Sequence, residues 1–497
     1  VIHAIVLAVD WLAVALVLAG TVPVFVGTYQ MVLACLHGLR NHYGECAPYY
    51  PRTAIIIPAW NEGAVVGGSI DRLMRLDYPP DALRVYVVDD GSTDDTPDIV
   101  RDRERMYPGR TIHLRRENGG QGKAHTLNHG LAHVLSDDWM QALLIMDADV
   151  IYSPASLRRM TRHLADPEVG AVTAYIKEGS RPGNFMNRFI GFEYIAAQAA
   201  ARRGQNVLGV LACLAGGAQL HSRENLEALG GRIDTTSLAE DTFTTFNTQL
   251  GGRKVVFEPH ATVLAEEPGS VASLWKQRVR WARGNYQVTK RYASVWFRPW
   301  AERGLGGVSF GLIWFSLFLQ PLLMIGASAG LLTLFFTNRD LASTAFVWLW
   351  ITTALTFVFI TAVTVLIDPG TGRHCWREAV TFPGLVSLAL MVYALFPDQV
   401  RRGVVALAGL AGVTVTARGV DVATLVVYAW PAASMALAAL ARSAEERARL
   451  GWLSPVLVYL VGYGPLLCAM SLAAYVKEFR GASMTWEKTE KTGKVIG

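Results

Sequence analysis

Leu143-Leu144-Ile145-Met146-Asp147-Ala148-Asp149 is the stretch on which the fold turns. Four consecutive apolar residues, too few for an ordinary helix, read as a strand buried on both faces. The run ends in carboxylates at i and i+2, a hard oxygen site suited to Mg²⁺ or Mn²⁺. Such an ion keeps waters and takes its remaining ligands from substrate phosphates. That strand covers 142–147, and working outward, residues 53–58, 84–89, 111–115 and 169–176 read as further buried strands. The stretches 62–76, 94–106, 122–135 and 154–164 read as the helices between them. Such alternation implies a mostly parallel sheet covered on both faces, with ligands gathered at the carboxyl ends of its strands.

Other motifs fall at those ends. Val85-Tyr86-Val87-Val88 leads into Asp89-Asp90-Gly91-Ser92, where carboxylates suit the base and ribose of a nucleotide; an Asp-Gly turn with a helix cap explains the same residues. No G-x-G-x-x-G follows the first strand, which counts against a dinucleotide fold. Gly119-Gly120-Gln121-Gly122-Lys123 opens a helix; glycines allow close backbone approach, and Lys123 suits a diphosphate. Ala239-Glu240-Asp241 offers a carboxylate able to take a proton from an attacking hydroxyl, or else helix N-terminal electrostatics. In Gln277-Arg278-Val279-Arg280-Trp281, Arg280 suits the charge of a departing diphosphate and Trp281 a sugar face. A membrane-surface helix without catalytic part is the competing reading of that last motif.

The 497 residues are 52% hydrophobic and only 18% charged, against about 25% in soluble domains. Uncharged runs cover 11–39, 305–338, 341–367, 379–397, 403–417, 422–441 and 450–476, and a span needs roughly 20 apolar residues. A purely soluble enzyme and a small secreted scaffold are excluded. Residues 1–40 read as an N-terminal transmembrane anchor, 50–270 as a soluble domain and 271–304 as interfacial helices with interleaved Trp and basic residues. Residues 305–476 read as a bundle of four to six spans, and 477–497 as a cytosolic tail. Arg40 and Arg52 follow the first span, so the soluble domain is expected in the cytosol. The net charge of +5 does not indicate a nucleic-acid partner. Five cysteines without a C-x-x-C pair argue against a zinc site or disulfide framework. Only nine of the 46 basic residues are Lys, which points to a GC-rich bacterial source.

Taken together, Pro58-Ala59-Trp60-Asn61-Glu62, V-D-D-G-S-T-D-D-T at 88–96, G-K-A-H-T-L-N at 122–128, D-A-D at 147–149, A-E-D at 239–241 and Q-R-V-R-W at 277–281 resemble glycosyltransferase family 2. The nearest likeness is to its membrane-embedded processive synthases, which make cellulose, chitin oligosaccharide, hyaluronan or poly-N-acetylglucosamine. The resemblance covers about residues 52–285. It implies an α/β GT-A nucleotide-sugar transferase domain inserted between the N-terminal transmembrane helix and a C-terminal multi-helix transmembrane bundle. The implied reaction is inverting, metal-dependent transfer from UDP-N-acetylglucosamine or UDP-glucose to the end of a growing β-linked polysaccharide, with coupled translocation. The alternative is transfer of one sugar to a polyprenyl-phosphate or lipid acceptor. A third reading, an export channel or scaffold with a vestigial transferase domain, is opposed by the intact Asp147, Asp149 and Asp241.

By the same resemblance Ala59, Glu62, Asp89 and Asp90 would hold the nucleoside and Lys123 the diphosphate. Asp147 and Asp149 would hold the nucleotide and the Mg²⁺ or Mn²⁺. Asp241 would be the base with Glu240 beside it, and Gln277, Arg280 and Trp281 would form the acceptor end. Trp486, Lys488, Thr489 and Lys491 in the tail resemble a gating loop; attraction of a basic tail to anionic lipid is the simpler alternative. Val150 stands where cellulose synthases carry His, which weakens a cellulose assignment. The implied setting is the bacterial inner membrane, with a multi-pass chain, a cytosolic catalytic domain, membrane lipids around it and accessory export proteins in the envelope.

Overall fold

The computed structural model describes residues 2–39, 46–181, 183–447, 450–483 and Val495. Packing divides the chain into a helical unit (1–29, 270–283 and 312–481) and an α/β unit (30–269, 284–311 and 482–497).

The α/β unit is built on eight strands: β1 (Thr53–Ala59), β2 (Leu83–Asp89), β3 (Thr111–Arg115), β4 (Ala142–Ile145), β5 (Ile151–Tyr152), β6 (Val169–Glu178), β7 (Gln219–Ser222) and β8 (Lys254–Ala265). They form one sheet in the order β3-β2-β1-β4-β7-β6-β8-β5. β1, β2, β3 and β4 run parallel, as the continuous apolar runs require. β7 is antiparallel to β4 and β6, β8 is parallel to β6, and β5 is antiparallel to β8. The helices Gly63–Leu73, Thr96–Met106, Lys123–Val134 and Ser156–Thr161 occupy the expected connections. β4 stops at Ile145, two residues short of the expected end. The Met146 N–H still donates to the Ile56 carbonyl at 3.2 Å, but Val150 N–H then turns back onto the Asp147 carbonyl at 3.3 Å.

Leu127, Leu131 and Val134 on one face of the helix Lys123–Val134 pack against Ile56, Val88, Leu143 and Ile145. Each such buried side chain contributes about 1.5–3 kcal/mol. Gly130 lets this helix approach the sheet, since a Cβ there would lie 2.9 Å from Val88 Cγ2. The helix start is thereby pinned over the carboxyl ends of β1, β2 and β4. Ala59 pairs with Asp89 in register, and Ile56 with Ile145, so those ends share one edge.

Ile2–Gly38 (with a turn at Thr21, and in the helical unit through Tyr29), Gln320–Thr337, Arg339–Ile367 and Ala417–Glu446 are long and apolar enough to cross a membrane. Leu453–Val461 and Tyr463–Phe479 meet at a 97° bend and would together make a fifth span. Val308–Phe318 and Leu385–Leu395 are shorter apolar helices. These helices make the chain a membrane protein. Small residues bring backbones together, as is usual where lipid offers no hydrophobic drive: a Cβ on Gly330 would lie 2.5 Å from the Ala13 carbonyl oxygen. Pro431 interrupts the helix Ala417–Glu446, and the Ala432 N–H donates to Ser328 Oγ at 3.0 Å. Glu445 accepts from the Ala272 N–H at 2.9 Å, satisfying one donor at the start of the helix Val271–Arg291.

The stretch 271–304 is read from the sequence as interfacial helices, and it contributes to both packing units. The helix Val271–Arg291 belongs to the helical unit through Arg283 and to the α/β unit from Gly284. Trp275 and Trp296 are buried in protein, whereas Trp300 is exposed. Trp296 stacks on Phe310 and meets Phe246 edge-on, with centroids 6.1 and 5.8 Å away.

Candidate active site

The loops after β1 and β2 are tied together before any ligand is considered. Asn61 adopts a left-handed φ of 54°, which its short polar side chain tolerates. Its Oδ1 accepts from the Thr93 N–H at 2.8 Å, and its own N–H donates to Ser92 Oγ at 2.9 Å. The Glu62 N–H donates to Thr96 Oγ1 at 2.8 Å, and Glu62 precedes the helix Gly63–Leu73. Asp89 is fully buried at the end of β2. Its Oδ1 accepts from the Ser92 N–H at 2.8 Å, and its Oδ2 lies 3.1 Å from Arg115 Nη1. Burial alone would raise its pKa, but His113, Ser92 and Arg115 outweigh that and hold the carboxyl below its usual range. Asp90 donates its N–H to the Ala59 carbonyl at 2.8 Å, while its carboxylate pairs with Arg116 and accepts from the Gly120 N–H at 2.9 Å. Gly119 is obligatory here: a Cβ would sit 1.9 Å from the Asp90 carbonyl oxygen.

Lys123 is the hub of the second half of the site. Its side chain is 8% exposed, and Nζ lies 2.5 Å from Asp147 Oδ1, 3.1 Å from the Gly216 carbonyl and 3.9 Å from Glu240 Oε1. Burial opposes its charge, but Asp147, Glu240 and Asp241 outweigh burial and raise its pKa, so it stays an ammonium. Glu240 and Asp241 occupy the first turn of the helix Glu240–Leu250. Asp241 Oδ1 accepts from the Thr242 N–H at 2.7 Å. A Cβ on Gly216 would fall 3.2 Å from Asp241 Oδ2 and 3.6 Å from Lys123 Nζ. Glycine therefore lets the base candidate and the ammonium share one wall. Helix Glu240–Leu250 is held from behind by Gly284, where a Cβ would lie 2.5 Å from Ala239 Cβ. Burial, and then Asp241, push the Cys213 thiol up, leaving it neutral beside the carboxylate.

Asp149, 9% exposed, borders a small cavity with Ser69, Arg72, Ile151, Glu266 and Val495. The Asp147 side chain is 39% exposed. Two carboxylates at a strand end fit a divalent ion. Among the described residues no group of three His, Cys, Asp or Glu is poised on one ion.

The structure thus brings Ala59, Glu62, Asp89, Asp90, Lys123, Asp147, Asp149, Glu240 and Asp241 into one unit. Gln277, Arg280 and Trp281 belong to the helical unit. There Gln277 is buried and its Oε1 accepts from Arg278 Nη1 at 2.7 Å. The Arg278 guanidinium lies 4.0 Å from the Trp281 ring centroid, and Arg283 pairs with Glu478 at 2.5 Å. Trp486, Lys488, Thr489 and Lys491 lie outside the described residues. Of the tail, Val495 forms an isolated antiparallel bridge with Ser180.

Residues 51–284 match the family described as glycosyltransferase-like family 2. The chain carries a family 2 glycosyltransferase domain. It is 33% identical over 247 residues to the β-monoglucosyldiacylglycerol synthase of Synechocystis, covering 50% of each chain. It is 26% identical over 239 residues to the poly-β-1,6-N-acetyl-D-glucosamine synthase of Staphylococcus epidermidis, covering 48% of this chain and 55% of that one. With the probable glycosyltransferase YdaM of Bacillus subtilis it shares 30% identity over 56% of this chain and 65% of that one. The chain therefore spans between half and two thirds of the length of these relatives. Among solved structures, the mannosyltransferase PcManGT of Pyrobaculum calidifontis, in complex with GDP-Man and Mn²⁺, superposes with a TM-score of 0.53 at 22% identity, over 78% of this chain and 99% of that one. The α/β unit is accordingly a GT-A-like domain.

Sequence reasoning missed several residues of the transferase site. Gly216 and Gly217 belong to no motif, yet Gly216 supplies the carbonyl that holds Lys123, and Gly217 the one that accepts from Tyr152 OH at 3.0 Å. Arg116 and Glu266 carried no motif.

Proposed function

We propose that the protein transfers a sugar from a UDP-sugar, UDP-N-acetylglucosamine or UDP-glucose, to the end of a growing β-linked polysaccharide, inverting the anomeric carbon and passing the product across the membrane. The observation that carries this reading is Lys123, fixed as an ammonium between Asp147 and the Glu240–Asp241 pair. A cation at that point suits a diphosphate, and a carboxylate beside it suits an attacking hydroxyl.

Asp147 and Asp149 would hold Mg²⁺ or Mn²⁺, which supplies charge neutralisation for the leaving diphosphate. Lys123 neutralises developing negative charge from a fixed position, at no reorganisation cost in the transition state. Asp241 takes the proton from the acceptor hydroxyl as it attacks, and Glu240 keeps the Lys123 ammonium within reach. Asp89, held ionised at the end of β2, receives hydrogen bonds from the nucleoside. The tied loops at Asn61 and Ser92 keep that end of the donor from shifting. Gln277, Arg280 and Trp281 are assigned to the acceptor end on the family resemblance.

Transfer of one sugar to a lipid is a second reading, favoured by the 33% identity to a glycolipid synthase. The deciding experiment is nucleotide release by the full chain in detergent with Mg²⁺ or Mn²⁺, screening UDP-glucose, UDP-N-acetylglucosamine and UDP-galactose, with product sizing. A ladder or high-mass polymer from one donor supports the synthase. A single-sugar product on added diacylglycerol or polyprenyl phosphate replaces it with the second reading. Turnover undiminished by EDTA would refute the metal-dependent mechanism.

A further inference from the structure

Cys46 lies in the segment that leads into β1, and it faces a cluster in which no transfer residue takes part. Its Sγ is 3.4 Å from His163 Nδ1. Across the ring, His163 Nε2 is 2.7 Å from Glu258 Oε2. The other carboxylate oxygen of Glu258 accepts from the His260 N–H at 2.7 Å. Glu258 sits where the β6–β8 register slips between Ala174 and Tyr175, which frees its side chain to turn toward the ring. Thr161 Oγ1 donates to the Tyr49 carbonyl at 2.8 Å, anchoring the Cys46 segment beside the turn that bears His163. Glu258 is 1% exposed and His163 7%, whereas Cys46 keeps part of its surface open.

This row of thiol, imidazole and buried carboxylate has a directional logic. Glu258 accepts from Nε2–H and so fixes the tautomer that turns the Nδ1 lone pair toward the thiol. Passing the thiol proton to Nδ1 creates an imidazolium flanked by two anions. Burial opposes charge on the ring, but Cys46 and Glu258 outweigh it and push His163 up to about 9. Among the described residues, Glu258 from β8 and Cys46 from the segment before β1 face the ring. An ion pair that only fastened the turn to β8 would account for His163 and Glu258. It gives no reason for a partly open sulfur on the other nitrogen.

We propose that Cys46 is a modification site, a nucleophilic thiolate held by His163 and oriented through it by Glu258, that reacts with small hydroperoxides. The sulfur attacks the distal oxygen, an S–O bond forms and the O–O bond breaks. Sulfur is oxidised by two electrons to a sulfenic acid. The departing hydroxide or alkoxide takes the proton from His163 and leaves as water or alcohol. Glu258 is a positioning residue, since it acts through the ring.

The test is the rate of Cys46 carbamidomethylation by iodoacetamide in the full chain, followed by peptide mass spectrometry against N-acetylcysteine in the same tube. At pH 6.5 Cys46 is expected to react about tenfold faster than N-acetylcysteine, and hydrogen peroxide followed by dimedone is expected to label it. His163→Gln brings the rate down to that of N-acetylcysteine, and Glu258→Gln gives an intermediate one. A wild-type rate no faster than N-acetylcysteine overturns the proposal without any variant having to fold, and so does failure of dimedone to label Cys46.

Discussion

Replacing Lys123 with Met removes the charge at the centre of the site while keeping most of the stem. The ammonium is 8% exposed and holds Asp147 at 2.5 Å, with Glu240 3.9 Å away. Breaking a fully buried pair costs about 3–5 kcal/mol. Here, however, the Asp147 side chain is 39% exposed, so the abandoned carboxylate rehydrates and the cost falls toward about 1 kcal/mol. For a domain of this size that is a drop of roughly 2–4 °C in melting temperature. The transfer step should suffer far more. Losing a fixed donor at developing charge removes about 2.7–4 kcal/mol, or 10²–10³ in kcat. The assay pairs a thermal melt with nucleotide release from whichever donor the wild type turns over. Activity within threefold of wild type in a folded Lys123→Met protein would refute the role given to Lys123. A melting temperature lowered by 15 °C would show instead that the residue is chiefly structural.

Other substitutions probe the rest of the reasoning. Asp241→Asn should lower kcat by about 10²–10⁴ with the donor KM little changed, read from initial rates over a range of donor concentrations. His163 rises from 6.5 to about 9 on folding, so its contribution is complete below pH 6.5 and is lost as pH climbs through 9. That contribution is on the order of 3 kcal/mol, and the melting temperature should fall between those pH values in the wild type but stay flatter in His163→Phe. Gly284→Ala would ordinarily favour a helix by about 1 kcal/mol. With a Cβ 2.5 Å from Ala239 Cβ, it should instead displace the Glu240–Asp241 turn and cut activity at least tenfold in the nucleotide-release assay.

The parallel half of the sheet was legible because burial on both faces forces unbroken apolar runs, and β1 to β4 have them. β7 escaped for the opposite reason. Gln219-Leu220-His221-Ser222 reads as polar, yet Gln219 and His221 are buried. Burial lowers His221 to about 4, so it is accommodated as a neutral ring beside Asn225. β8 contains Glu258, Pro259 and His260 across a register slip, which destroys the alternation a strand search relies on. In the site, the acidic strand ends could be read from local sequence alone. That Lys123 reaches Asp147, 24 residues away, depends on the order of β1, β2 and β4 in the sheet, which no local pattern states.

The mixed direction of the sheet also bears on how the protein is made. β4, which leads to the D-x-D, is flanked by β1 on one side and by β7 on the other, and the two flanks are synthesised far apart in time. A nascent chain released or clipped before Gly216 would carry Asp147, Asp149 and Lys123 but neither the carbonyl that steadies the ammonium nor the carboxylates of Glu240 and Asp241. On the roles proposed for these residues, the site is incomplete until the helix Glu240–Leu250 has been made.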